Sequence, residues 1–506
     1  MDKERKKRRQ TIRIIITEII MVIAVIFTAI IITFLAMGYN VDQNGEVSQF
    51  GLAQINSLPT GATITIDDDT LLFHTNTSKM LSAGTHHIKL ERSNYDTWAK
   101  DVEIKPGILL RLDYPRLFLK DRTKENAADN LENFEIFSVS PDRNYLLYAA
   151  SDDIIATPSP EDLKDRTKKR ATWTLLDVKG DKPEKTEFDF TEILGNHTIT
   201  DILWSKTNDR ILAKTTSRDK TEWLLINLKN PQNSLNLTAK YSLDFSTLTF
   251  LDGNSDHLLG IENGNLRNIT LSSQSVSGVL AKDVRTFSHS DSALAYINSA
   301  NELKFYEEDG DDIIIKTLSS DNSKVILASY LDKKYLSFID GNHLYVYRSD
   351  YEMLEKAYSK QTSSSAENST ESENSNASPK GLELIVDQDL GYSPNNFYTK
   401  NDGEFIVTTS SDNKISVFDA ELELVSNFTI SGNSIFWLDQ YLIGTIENDT
   451  LTIYDFDGTN RRELVSNFKP QDSTKSHSNT PAFITKSNHY LYYQNDHSII
   501  YEKIVD

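Results

Sequence analysis

The chain has 506 residues, 38% hydrophobic, 10% aromatic and 25% charged, which fits neither a disordered or collagen-like chain nor a multi-span membrane protein. Its 74 acidic residues outnumber 53 basic ones, and a net charge of −21 is the wrong sign for gripping phosphate backbones, so nucleic acid is not an expected partner. No cysteine is present, which excludes disulfide scaffolding, thiolate catalysis, zinc fingers and a lipoprotein anchor.

Residues 1–13 carry seven Lys or Arg against Asp2 and Glu4, a net +5, and an apolar run follows at once. In residues 14–38 the only charge is Glu18, and a helix from Ile14 to Met37 would rise roughly 36 Å, enough to span a hydrocarbon core of about 30 Å. The small residues Ala36 and Gly38 flanking Met37 could also mark a signal-peptide cleavage site, but the uncharged run is longer than such signals need. We therefore expect a single-pass anchor in the cell membrane with residues 1–13 in the cytoplasm and everything after Tyr39 outside it. That exported part has a net charge of −25.

A polar stalk is expected over residues 39–49. Beyond it the segments Ala62–Asp67, His87–Glu91 and Val102–Ile104 alternate apolar and polar residues, with turn signals at Pro59, Gly61, Gly84 and Pro106-Gly107. The runs Ser57–Asp67, Leu81–His86 and Val102–Gly107, with Tyr95 between them, resemble a PEGA domain over residues 50–119. Thr60 stands where that family has Glu, and Asp67-Asp68-Asp69 where Asp-Gly is usual. The resemblance implies a small antiparallel, extracytoplasmic β domain and no catalytic residue.

From residue 134 to 506 a longer unit recurs: strand, polar turn, strand, then an outer hairpin, as in Phe137–Tyr148, Trp204–Leu212, Phe287–Tyr296 and Tyr398–Val407. First strands begin near residues 134, 199, 246, 284, 325, 396, 434 and 482. The unadorned spacing is about 40 residues, the length of one four-stranded propeller blade, so eight blades are expected, with seven as the alternative and paired β-sandwiches as the rival architecture. Two spacings are long. One holds a charged insert, Thr157 to Arg170, and the other a Ser/Asn-rich stretch at residues 360–380 that is too polar to order itself. The Ser140-Pro141-Asp142 unit resembles the repeats of TolB-type β-propellers and, more loosely, WD40-like ones. The last unit, from Ala482, has room for three strands, so its fourth must come from upstream, with Arg116 to Lys120 as the expected donor. The whole reads as an all-β ectodomain behind one N-terminal transmembrane helix.

Chemistry-bearing constellations are scarce. None of the ten histidines falls in a His-Glu-x-x-His spacing, and His86 and His87 are strand neighbours that point to opposite faces. No nucleophile elbow, phosphate loop or dinucleotide fingerprint occurs, and no cofactor is expected. Two oxygen-rich turns are weighed for calcium: Asp67-Asp68-Asp69, and Asp455, Asp457 and Asn460 around Gly458, which are the metal candidates although a hairpin turn accounts for the same pattern. No carboxylate pair can be picked for catalysis. The expected role is a binding or scaffolding platform for a protein or glycan at the cell envelope, with a propeller hydrolase of envelope carbohydrate or peptide as the alternative. The side chains lining the propeller's channel would discriminate the two.

Overall fold

The computed structural model describes residues 2–36, 39–41, 47–131, 134–150, 172–190, 193, 198–217, 220–251, 254–290, 293–307, 312–349, 381–470 and 480–506. Both expected inserts, 157–170 and 360–380, lie outside the described residues. The chain divides into two compact units, one of Met1–Thr123 with Lys503–Asp506, the other of Lys124–Glu502.

The first unit opens with helix α1, Asp2–Ala36. Its stretch Ile15–Phe34 is long and apolar enough to cross a membrane, and none of it is buried in protein. Thr28 and Thr33 hide their hydroxyls by donating to the Ala24 and Ala29 carbonyls, at 2.8 and 2.9 Å, which lets a threonine sit in an apolar helix. Two four-stranded sheets follow. One orders β1 (Tyr39–Val41), β2 (Val47–Ile55) and β5 (Thr77–Ser82), with β8 (Leu109–Leu112) parallel to β2. The other runs β4 (Asp69–His74), β3 (Thr63–Ile66), β6 (Gly84–Glu91), β7 (Trp98–Ile104). The described residues of the expected stalk, 39–41 and 47–49, are strand, with Tyr39 paired to Gln49. Ala53, Ile55, Ile64, Leu90, Trp98 and Leu112 form the buried interior, each at most 1% exposed. Gly51 is required there, because a Cβ would lie 2.5 Å from the Lys105 carbonyl oxygen. Residues 503–506 close the unit, with Leu119 N–H donating to the Ile504 carbonyl at 3.0 Å and Asp506 N–H to the Tyr95 hydroxyl at 3.1 Å.

Among the described residues the second unit holds eight four-stranded antiparallel sheets. Their first strands are Phe134–Val139, Thr198–Trp204, Phe245–Leu251, Val284–Ser290, Lys324–Tyr330, Asn396–Lys400, Ile435–Trp437 and Ala482–Ile484. Second strands are buried on both faces and read as apolar runs: all six residues of Ala293–Asn298 and all five of Phe405–Thr409 are buried. The fourth strand of the first sheet, Glu184–Asp189, is polar and largely exposed, whereas that of the seventh, Arg462–Ser466, buries Leu464 and Val465.

Each sheet packs on the next. Leu147 and Trp173 of the first meet Ile211 and Leu224 of the second, and Leu212 and Leu225 then meet Leu248 and Leu258. Leu259 and Leu266 of the third meet Leu294 and Tyr296, while Leu303 and Phe305 meet Leu327 and Phe338. Tyr335 and Val346 of the fifth meet Ile406 and Phe418, and Phe405 stacks on Trp437 and Phe456. Phe468 of the seventh lies edge-on to Tyr493, and Phe483 and Tyr492 of the eighth meet Phe137 and Leu146 of the first. The order is cyclic, which makes this unit a β-propeller and excludes paired sandwiches.

The fourth strand of the last sheet does come from upstream, but not from Arg116 to Lys120. That segment makes only isolated bridges inside the first unit, Arg116 to Leu58 and Leu119 to Tyr95. The closing strand is β9, Lys124–Ala128, antiparallel to Ser498–Lys503 with Tyr501 opposite Glu125 and Ile499 opposite Ala128.

Candidate functional site

First strands line the middle of a propeller, and here those of the second to sixth sheets border one cavity of about 1090 Å³. Its wall includes Leu203, Thr247, Thr249 and Phe250, then Arg285, Phe287 and His289, then Lys324 and Ile326, then Phe397, Tyr398 and Thr399. Among the described lining residues Asp321 is the single carboxylate, and its side chain is 93% exposed.

The two cations lining the cavity each donate to an uncharged oxygen. Arg285 donates to the Asn301 side-chain oxygen and stands 4.0 Å from Asp321. Lys324 donates to the Asn395 carbonyl, and burial pulls its ammonium below the usual lysine range. Lys400 ends the first strand of the sixth sheet. Burial lowers its pKa too, and the Arg143 guanidinium pushes the same way because two like charges face each other. Tyr398, beside Lys400, accepts from the Trp437 indole at 3.2 Å, and burial pushes its phenol up to about 12.

Arg143 is placed by the turn that the sequence repeat marks. Ser140 Oγ donates to Asp142 at 2.7 Å and accepts from Tyr145 N–H at 3.0 Å, leaving Arg143 at φ 58°. The same device recurs without the Pro-Asp pair. Arg210 N–H donates to Ser205 Oγ and Tyr490 N–H to Thr485 Oγ1, with Asn208 and Asn488 at φ 56° and 61°. The working signal is a hydroxyl followed three residues later by a left-handed residue.

The calcium candidates form a closed turn. Asn460 donates to Asp455 Oδ2 at 2.9 Å, while Asp457 accepts from the Thr459 hydroxyl at 2.7 Å and Gly458 N–H bonds the Asp455 carbonyl. Asp455 and Asn460 are thus together, Asp457 is turned to Thr459, and no group of three or more His, Asp or Glu among the described residues is arranged to hold a metal. In the other acidic turn Asp67 accepts from His87 N–H at 2.8 Å and bonds the His86 ring, whereas the His87 ring bonds Asp101 at 2.6 Å. The two histidines do point apart. Arg143, Arg285, Lys324 and Lys400 were not singled out from sequence; the signal was their placement on first strands or the first turn of a chain that is otherwise acidic.

Residues 50–116 match the PEGA domain family. No curated protein matches the chain. Solved structures similar to it include the β-propeller domain of Myceliophteria thermophila Cps50 (Swd1), at 9% identity over 67% of this chain and 98% of that one, TM-score 0.39. The C-terminal WD40 domain of Sif2 gives 12% identity over 76% and 99%, TM-score 0.43. The computationally designed Ika8 protein gives 9% over 75% and 98%, TM-score 0.41. At such scores the likeness adds nothing to the sheet order and packing described above.

Proposed function

We propose that the chain is a single-pass membrane protein whose PEGA domain and eight-bladed propeller stand outside the cytoplasm as a binding platform for an envelope protein or glycan, with an anionic group of that partner seated in the channel. One observation carries this: Arg285 and Lys324 line the cavity, and Lys400, buried beside the Arg143 guanidinium, ends a first strand that borders it, in a chain whose net charge is −21. A cationic pocket with low-dielectric walls inside an acidic surface focuses its field on small anionic groups and discourages bulk polyanions. The PEGA domain and the basic residues of the first turns of α1, ahead of its apolar span, support the outward orientation.

The test uses the full chain in detergent. Titration with sulfated and with neutral dextran oligomers, and with short poly-glutamate peptides, should show saturable binding of an anionic probe that weakens as salt rises. Lys400→Gln and Lys324→Gln should abolish it in chains that remain folded by circular dichroism. Equal binding of neutral dextran, or retention by both variants, would overturn the assignment, and steady release of shortened oligomers would favour the hydrolase.

A further inference from the structure

We infer that the outer face of the β1-β2-β5-β8 sheet lies on the bilayer that α1 crosses, with Leu52, Met80 and Leu109 seated at the boundary between headgroups and acyl chains. This rests on reading α1 as a retained membrane anchor.

The register makes the row. Leu52 of β2 stands opposite Met80 of β5 on one side and Leu109 of β8 on the other, so the three side chains form a line across the sheet. They are 39%, 52% and 37% exposed. Alternate residues Gly51, Ala53 and Ile55 face the interior and are buried, and Gly51 has no room even for a methyl group. The apolar row therefore belongs to the outer face, and among the described residues nothing buries it.

Its position relative to the helix follows from strand direction. The span ends at Phe34, whose ring stacks on Tyr39 at 4.5 Å, and Tyr39 begins β1. β1 leads away from the helix, and β2 returns antiparallel, passing Tyr39 at Gln49. Leu52 lies three residues further, about 10 Å past Tyr39 on the side from which the helix arrives. The row is thus carried back toward the lipid and not out into solvent.

Composition fits the same occupant. The outward positions Phe50, Leu52 and Gln54 of β2, Ser78, Met80 and Ser82 of β5, and Leu109 and Arg111 of β8 include no carboxylate, in a chain with 74 of them. One arginine beside apolar side chains suits an anionic headgroup layer.

The absence of native cysteine makes the test direct. Single variants Met80→Cys, Leu109→Cys, Glu103→Cys and Val25→Cys of the full chain, labelled with bimane, are placed in nanodiscs carrying doxyl lipids. Val25 should be quenched by deep doxyl groups. Met80 and Leu109 should be quenched by shallow ones about threefold more than Glu103. Adding Met80→Glu to the Leu109→Cys chain should reduce its quenching. If Met80 and Leu109 behave like Glu103 while Val25 is quenched, the sheet does not touch lipid and the inference falls alone. If Val25 is not quenched, the anchor reading falls as well.

Discussion

Tyr501 donates a hydrogen bond to the Glu125 carboxylate at 2.6 Å across 376 residues of sequence. It marks where the eighth sheet borrows its outer strand, β9. Ala127 and Ala128 on β9 are 5% exposed and pack in the cluster of Phe137, Tyr148, Tyr492 and Ile499 that joins the last sheet to the first. Ala128→Asp should cost about 3 kcal/mol or more, by burying an unpaired charge, whereas Asn126→Ala, at an exposed position of the same strand, should change stability by less than about 0.5 kcal/mol. Denaturant unfolding of the full chain checks both, and equal midpoints would remove β9 from the closure.

Glu404 is 5% exposed, and burial, with Asp419 and Glu421 close by, raises its pKa to about 8. Because the folded value exceeds the unfolded one, its contribution is full below the ordinary 4.5 and is lost as pH climbs through about 8. Glu404→Gln should therefore flatten the decline in stability over that interval, worth on the order of 2–4 kcal/mol. Urea midpoints measured at several pH values decide the matter; parallel curves for the two proteins would contradict it.

The hydrogen bond from His87 N–H, then the His86 ring, hold the Asp67 carboxyl below its ordinary 3.8. Burial works against a protonated His86, but hydrogen bonds to Asp67 and the Ser82 carbonyl raise it above 6.5. Asp67 thus stabilises the fold above 3.8 and loses that effect as pH falls through its lowered value; His86 does so below 6.5 and loses it as pH rises through its raised value. Resistance of residues 50–120 to proteolysis in urea should peak between those limits, and Asp67→Asn should blunt both edges. A wild-type profile that stays level outside the window would refute the pairing.

Two glycines with positive φ separate crowding from backbone strain. At Gly403, φ 96°, a Cβ would fall 2.5 Å from the Ser329 carbonyl oxygen, while at Gly341, φ 64°, it meets open space. Gly403→Ala should cost about 2 kcal/mol beyond Gly341→Ala, which carries only the left-handed penalty of about 1 kcal/mol. Thermal melts of the two variants give the comparison.

Much of the propeller was legible. Eight first strands begin within one residue of where the repeat puts them, from Phe134 to Ala482, because a doubly packed second strand and a polar turn leave the same apolar rhythm in every sheet. β9 was not, since Lys124-Glu125-Asn126-Ala127-Ala128 contains no aromatic or β-branched residue and becomes a strand through its partner. β1 was read as stalk for a similar reason, three residues being too few to show alternation. Nothing in the sequence marks Lys324, since only the folded sheets place this strand end at the cavity. The oxygen cluster at Asp455 was visible in sequence, but its commitment to bonds within its own turn was not.

Because β9 pairs with a strand whose Tyr501 lies 376 residues after Glu125, the eighth sheet is whole only once both ends of that interval have been made. A ribosome that stalls before Ser498 delivers a product whose eighth sheet ends in a naked edge and whose β9 has no strand to pair with. Such a product is open to proteases and to pairing with its neighbours, and quality control can discriminate it from the finished molecule without reading any other feature.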